Sequence, residues 1–152
     1  MARPRSFIRL VLRFWRLPAG ERRFAMEAIG LLLLARLALT FVPFERIGRW
    51  ASINLARPAP DSEERERIRR HVRRAVTRSA RHVPWKAVCF DEGLAAQHML
   101  RRRGIASDLY LGVERKPGGD LGAHVWVRDG EIDIVGGHGA KRFKPLVHFP
   151  RP

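Results

Sequence analysis

The apolar residues change their spacing once along this chain, close to Gly104, and the change divides it into a helical part and a sheet. Up to that glycine they recur at helical spacing, whereas residues 108–115 alternate as in a strand. Residues 123–137, "AHVWVRDGEIDIVGG", form two further alternating runs joined by Asp129-Gly130, the strongest short signal for a hairpin. The run "FKPLVHFP" predicts a last strand. Helices followed by an antiparallel sheet predict an α+β fold.

Helical periodicity before this point predicts helices over about 6–17, 19–41, 46–54 and 86–103, and a further helix that opens after Asp61. The proline-containing run "LARPAPDSEE" at 55–64 divides the chain, so we expect a helical N-terminal region at 1–57 and a second domain at 61–152. Asp61 with Glu64 three residues later predicts a capping box. The helix after it carries a narrow apolar stripe: Ile68, Val72, Ala75, Val76 and Ser79.

The chain is strongly basic, with 30 Lys and Arg against 15 Asp and Glu and a net charge of +15. Such a charge favours nucleic acid, an anionic membrane surface or an acidic protein as partner, although an arginine-rich composition also produces it. The helix after Asp61 carries arginines on its other faces, Arg67, Arg70 and Arg74, which could bind anions or simply face solvent. The single cysteine cannot form an internal disulfide, so we expect a reducing cytoplasm.

The apolar segment 28–44 is interrupted by Arg36, and a central arginine costs about 3 kcal/mol on membrane-insertion scales. We therefore expect no membrane span. The segment is predicted to pack against the rest of the protein or to lie on a surface, either a partner or a membrane.

The hairpin places an imidazole and a carboxylate on one face. A two-residue turn at Asp129-Gly130 would set Trp126 opposite Asp133, and His124 two residues along the same face. The diagonal pair His124 and Asp133 would then lie about 7 Å apart or less between Cβ atoms. The other face is apolar: Val125, Val127, Ile132 and Ile134.

Cys89 is the only cysteine and lies near the start of a predicted helix, where free amides and the helix dipole favour a thiolate. Together with His124 as base and Asp133 as the group that orients the imidazole, it would form a nucleophilic triad. Two other interpretations of Cys89 remain. It could be a small buried apolar residue, or it could bind metal with His124 and Asp133 or His138, although the spacing typical of zinc sites is missing.

Three segments, "VPWKAVCFDEGLAAQHMLRRRGIASDLYLGVER", "AHVWVRDGEIDIVGG" and "RFKPLVHF", resemble the transglutaminase-like domain of lasso-peptide maturation proteases, the B-type proteins. The resemblance covers residues 83–149, and "RLPAGERRFAMEAIGLLLLARLAL" resembles the helical front half of the stand-alone members. It implies a transglutaminase- or papain-like domain with an antiparallel sheet. The catalytic cysteine of the family falls on Cys89, its histidine on His124 and its aspartate best on Asp133.

The resemblance further implies a leader peptidase that acts on a lasso precursor peptide through this triad, without a cofactor or a metal ion. Its partners would be a separate leader-recognition protein and an ATP-dependent lasso cyclase, and nucleic acid is not expected. Trp85 and Trp126 are candidates for contacts with the peptide. A transglutaminase-like amine transfer would use the same residues. An alternative from a different functional class is a basic module that binds nucleic acid or a membrane. Such a module would still bind after Cys89→Ala.

Overall fold

The computed structural model describes residues 14–53 and 57–149, which form four α-helices followed by a four-stranded antiparallel sheet. The helices are α1 (Ala19–Phe41), α2 (Phe44–Ser52), α3 (Ser62–Ala80) and α4 (Cys89–Arg101). The strands are β1 (Asp108–Arg115), β2 (Leu121–Asp129), β3 (Ile132–Val135) and β4 (Lys144–Phe149), with a 3₁₀ helix at Ala140–Arg142. Their order in the sheet is β3-β2-β1-β4. The α+β prediction is confirmed, while most of the helix predicted at 6–17 lies outside the described residues.

The ends of the helices follow local chemistry. Pro18 and Pro43 directly precede α1 and α2. The Asp61 carboxylate accepts a hydrogen bond of 2.8 Å from the Glu64 amide, which confirms it as the N-cap of α3. Gly104 follows α4 with a φ of +75°, the conformation that a glycine after a helix supplies.

One core joins the helices to the sheet, and α4 lies at its centre. All five residues of the predicted stripe of α3 are buried, and α4 is buried on most sides. The close contact between α4 and the sheet depends on Gly93, because a Cβ atom there would lie 2.6 Å from Val125 Cγ1 and 3.3 Å from Leu109 Cδ1. Gln97 ties the same helix to β4 by donating a 3.0 Å hydrogen bond to the Phe149 carbonyl.

Gly93→Ala should therefore destabilise the protein, because the added methyl group pushes α4 away from Val125. We expect a loss of about 1–3 kcal/mol, as for other overpacked cores. Gly30→Ala is the matched control: its Cβ would meet no atom within 4 Å, and alanine in a helix interior is favoured by up to about 1 kcal/mol. Urea unfolding should move the two midpoints in opposite directions. Equal shifts would contradict the close approach at Gly93.

The hairpin differs from its prediction by one residue. Its turn is Gly130-Glu131, so Asp129 pairs with Ile132 and Arg128 pairs with Asp133. A bulge follows, and Val127 pairs with Val135. The predicted pair of Trp126 with Asp133 is therefore wrong.

The shift has a physical cause in the burial of Asp129. This residue is only 3% exposed, and its carboxylate is bound by arginines of α3, so it stays within β2 instead of forming the turn. Gly130, with a φ of +60°, takes the first turn position, where a two-residue hairpin favours glycine. Val135 consequently joins the core.

Candidate active site

Cys89 is the first residue of α4, and its free thiol is half-buried. The preceding residue, Val88, has no side-chain acceptor, and within the described residues no side chain caps the amides of this first turn. Amides that lack an intrahelical partner can donate hydrogen bonds to an anion. The start of α4 therefore combines a nucleophile with donors suited to an oxyanion.

Asp91, which the sequence analysis missed, fixes the way the chain enters α4. Its side chain is fully buried, one carboxylate oxygen accepts a 3.0 Å hydrogen bond from the Val88 amide, and Arg36 lies 3.8 Å from that oxygen. An acidic residue three positions after the N-cap is the capping-box arrangement, so this spacing could have identified Asp91 from the sequence. By anchoring Val88, Asp91 also positions Cys89.

α4 packs against β2, the strand that carries His124. Cys89 lies one turn before Gly93 on the same side of α4, and Gly93 lies against Val125, the neighbour of His124. β3 pairs only with the last three residues of β2, so no strand of the described chain covers the edge of β2 beside His124.

The first turn of α4 also carries the acidic residue Glu92. Burial raises the pKa of Glu92, while positive charge on Arg81 and on His124 lowers it. Glu92 follows Cys89 by three residues and so shares its side of the helix.

The imidazole of His124 is held between two aromatic rings and by a backbone carbonyl. Its ring centroid lies 5.0 Å from that of Phe143 and 6.2 Å from that of Trp126. Its Nε2 lies 2.6 Å from the Gly136 carbonyl oxygen. A carbonyl only accepts, so Nε2 carries the proton in this contact, and Nδ1 of the neutral ring is left as an acceptor.

Asp133 has a different partner from the predicted one. Its Oδ1 accepts a 2.7 Å hydrogen bond from Arg128 Nε, because the observed register sets these two residues directly opposite each other. The side chain is 39% exposed. The structure therefore brings His124 to Gly136 and Asp133 to Arg128, and a catalytic role of Asp133 stays a prediction.

The two tryptophans predicted to contact substrate lie in different surroundings. Trp126 is only 4% exposed and stacks on Tyr110 with ring centroids 5.5 Å apart, so a peptide could touch little more than its edge. Trp85 packs against the core four residues before Cys89. Its indole N–H is buried and has no acceptor among the described residues, which leaves a donor near the start of α4.

A second feature that the sequence analysis missed is the set of arginines on α3 that holds the hairpin. Arg65 donates to both oxygens of Asp129 at 2.8 and 2.5 Å, and Arg69 donates at 2.6 Å. Burial raises the pKa of Asp129, but the hydrogen bonds from the two arginines outweigh it and bring the pKa below the ordinary value. Arg73 donates to the Ile134 carbonyl at 2.9 Å. The spacing of four residues between these arginines was the available signal.

The arginines of the two central helices divide into an exposed and a structural group. Arg67, Arg70 and Arg74 lie on the exposed side of α3. Arg101, by contrast, is buried and donates to the Ile53 and Ser107 carbonyls, and Arg103 pairs with Glu27 of α1 at 2.6 Å. Arg101 and Arg103 thus stabilise the fold. Among the described residues, no group of three His, Cys, Asp or Glu side chains could hold a metal ion.

Residues 31–148 match the model of the transglutaminase-like superfamily. The match covers well over half of the chain, which therefore belongs to that superfamily. Its members include cysteine peptidases and transferases. No curated protein and no solved structure matches the chain.

Proposed function

We propose that this protein is a cysteine peptidase that removes the leader from a lasso-peptide precursor, with Cys89 as nucleophile and His124 as base. The observation that carries the proposal is a thiol on the first turn of α4, a helix that packs against the strand of an imidazole whose Nδ1 is left as an acceptor. Membership of the transglutaminase-like superfamily supports cysteine chemistry. The choice of substrate rests on the resemblance of residues 83–149 to lasso-peptide maturation proteases.

The reaction divides into two steps. Nδ1 of His124 takes the thiol proton, the sulfur of Cys89 attacks the last carbonyl carbon of the leader, and first-turn amides of α4 donate to the oxyanion. The imidazolium then protonates the leaving amine, which frees the core peptide and leaves a thioester. Water attacks the thioester, its proton passes to His124, and the leader departs as a carboxylic acid. Throughout, the Gly136 carbonyl holds Nε2–H and so keeps Nδ1 in place.

The proposal includes three partners: the precursor, a small leader-recognition protein and an ATP-dependent cyclase that closes the macrolactam. The exposed arginines Arg67, Arg70 and Arg74 would suit an acidic surface on one of them. We place the reaction in the cytoplasm, where the thiol of Cys89 stays reduced.

The experiment combines the chain with a lasso precursor and a leader-recognition protein, and follows intact peptide masses. Hydrolysis gives two fragments whose masses sum to that of the precursor plus one water. A transferase would instead join two components with loss of ammonia, which would replace the peptidase by the amine-transfer alternative. His124→Ala should remove the activity and His71→Ala should keep it, since His71 stacks on Phe24 of α1. Equal activity of both variants would contradict the proposal.

Asp133→Asn tests which group orients His124 during turnover, the predicted Asp133 carboxylate or the observed Gly136 carbonyl. Because Nε2 is bonded to the Gly136 carbonyl and Asp133 to Arg128, we expect turnover to change less than about threefold. An aspartate that orients a catalytic imidazole costs about 10⁴-fold when it becomes asparagine. A loss of that size would restore Asp133 as the third catalytic group and show that the carbonyl contact is replaced during turnover.

A further inference from the structure

One side of α1 is apolar and yet faces outward. Its exposed residues recur at helical spacing: Met26, Ile29, Leu33, Leu34, Leu37 and Phe41, which we call the outer stripe. The opposite side of the helix is buried through Ala28, Leu32 and Ala35. From Met26 to Phe41 the stripe is about 22 Å long at the rise of an α-helix. An exposed apolar surface of this kind marks an interaction site.

The outer stripe carries no charge, although two charged residues lie within the same stretch of helix. Glu27 pairs with Arg103 at 2.6 Å, and Arg36 lies 3.8 Å from Asp91. Arg103 and Asp91 lie at the two ends of α4, so both charges pair with partners on the inner side of α1, and the Arg36 side chain stays 39% exposed. Thr40, an exposed polar residue on the same side, donates its hydroxyl to the Arg36 carbonyl of its own helix.

Both ends of the stripe are basic. Arg16 and Arg23 are exposed at the start of α1, and Arg46 and Arg49 are exposed on α2 just beyond its end. Trp15, 65% exposed, lies before α1 with the guanidinium of Arg22 5.5 Å from its ring centroid. Tryptophan and arginine beside an apolar helix face are typical of proteins that lie at the surface of an anionic bilayer.

We propose that the outer stripe binds the surface of an anionic membrane, with α1 lying in the plane of the interface. The net charge of +15 favours anionic lipid headgroups and opposes the pairing of two copies through the same face. By length and composition α1 could cross a bilayer. If α1 crossed a bilayer, however, its buried side would lose its contacts with α3 and α4. α3 alone contains seven arginines.

Sedimentation with vesicles tests the proposal on the full chain. We expect binding to vesicles of phosphatidylcholine mixed with phosphatidylglycerol, little binding to phosphatidylcholine alone, and weaker binding as salt increases. The double variant Leu33→Glu/Leu37→Glu should bind at least about tenfold more weakly. Leu121→Glu/Leu146→Glu is the matched control, because it makes the same change at exposed leucines of the sheet, 69% and 60% exposed, and should bind within about twofold of wild type.

Several results would overturn the proposal. The proposal is wrong if wild type binds neither vesicle, if it binds both equally, or if it binds no better than the stripe variant while circular dichroism shows all variants folded. A dimer in light scattering that becomes a monomer in Leu33→Glu/Leu37→Glu, without vesicle binding by wild type, would assign the stripe to self-association instead.

Discussion

Cys89→Ala should lower precursor cleavage by at least about 10⁴-fold, as expected when a catalytic nucleophile is removed. No second cysteine exists to replace it. Cys89→Ser keeps the shape of the side chain but supplies an oxygen that is a far weaker nucleophile at neutral pH, so it should also be nearly inactive. The initial rate of fragment formation, followed by mass spectrometry, measures both variants.

The control for this loss of cleavage activity is a measurement of thermal stability. The thiol is half-buried, so we expect the alanine variant to unfold within a few degrees of wild type, and inactivity then reflects chemistry. Cleavage by Cys89→Ala at the wild-type rate would contradict the proposed mechanism. Salt-sensitive binding of nucleic acid that survives the substitution, without any peptide cleavage by wild type, would favour the basic binding module instead.

The largest effect on stability should come from Asp129→Asn. Its carboxylate is 2% exposed and accepts hydrogen bonds from Arg65 and Arg69, so the substitution leaves two arginines without their anion. Breaking a buried ion pair costs about 3–5 kcal/mol, and we expect about 3 kcal/mol because the arginines remain partly exposed. For a chain of this length that is about 6–12 °C in the unfolding midpoint.

Asp133→Asn is the matched control, since it removes an exposed partner of one arginine and should cost less than about 1 kcal/mol. The difference in the free energy of unfolding between wild type and Asp129→Asn should also depend on pH. The folded state lowers the pKa of Asp129, so its stabilisation is present at neutral pH and disappears as the pH falls below about 4. A difference that stayed constant down to about pH 2 would contradict the ionic origin of this stabilisation.

The sequence predicted the helices and strands well because their signals are local. The Asp61 cap, the apolar stripe of α3 and the alternation along β1 each depend on residues a few positions apart. The start of α4 at Cys89, three residues after its predicted start at Lys86, still leaves the thiol in the first turn. Those features were enough to predict the class of fold and the position of the cysteine.

The hairpin register could not be predicted because its cause lies about sixty residues away. Aspartate before glycine is typical of a turn. Asp129 is nevertheless buried within β2, because the arginines of α3 bind its carboxylate. The same shift sets Asp133 opposite Arg128. The observed partner of His124 is a backbone carbonyl. Every residue has such a carbonyl, so the sequence cannot indicate which one binds the imidazole, and a carboxylate was predicted instead.

The central claim is that His124 activates the thiol of Cys89, and alkylation of that thiol measures it most directly. With a single cysteine, the rate of iodoacetamide addition at about pH 7 follows from one mass shift. We expect His124→Ala to slow the addition at least about tenfold, and His71→Ala to leave it unchanged. Equal rates in wild type and both variants, with all three proteins folded, would contradict the account.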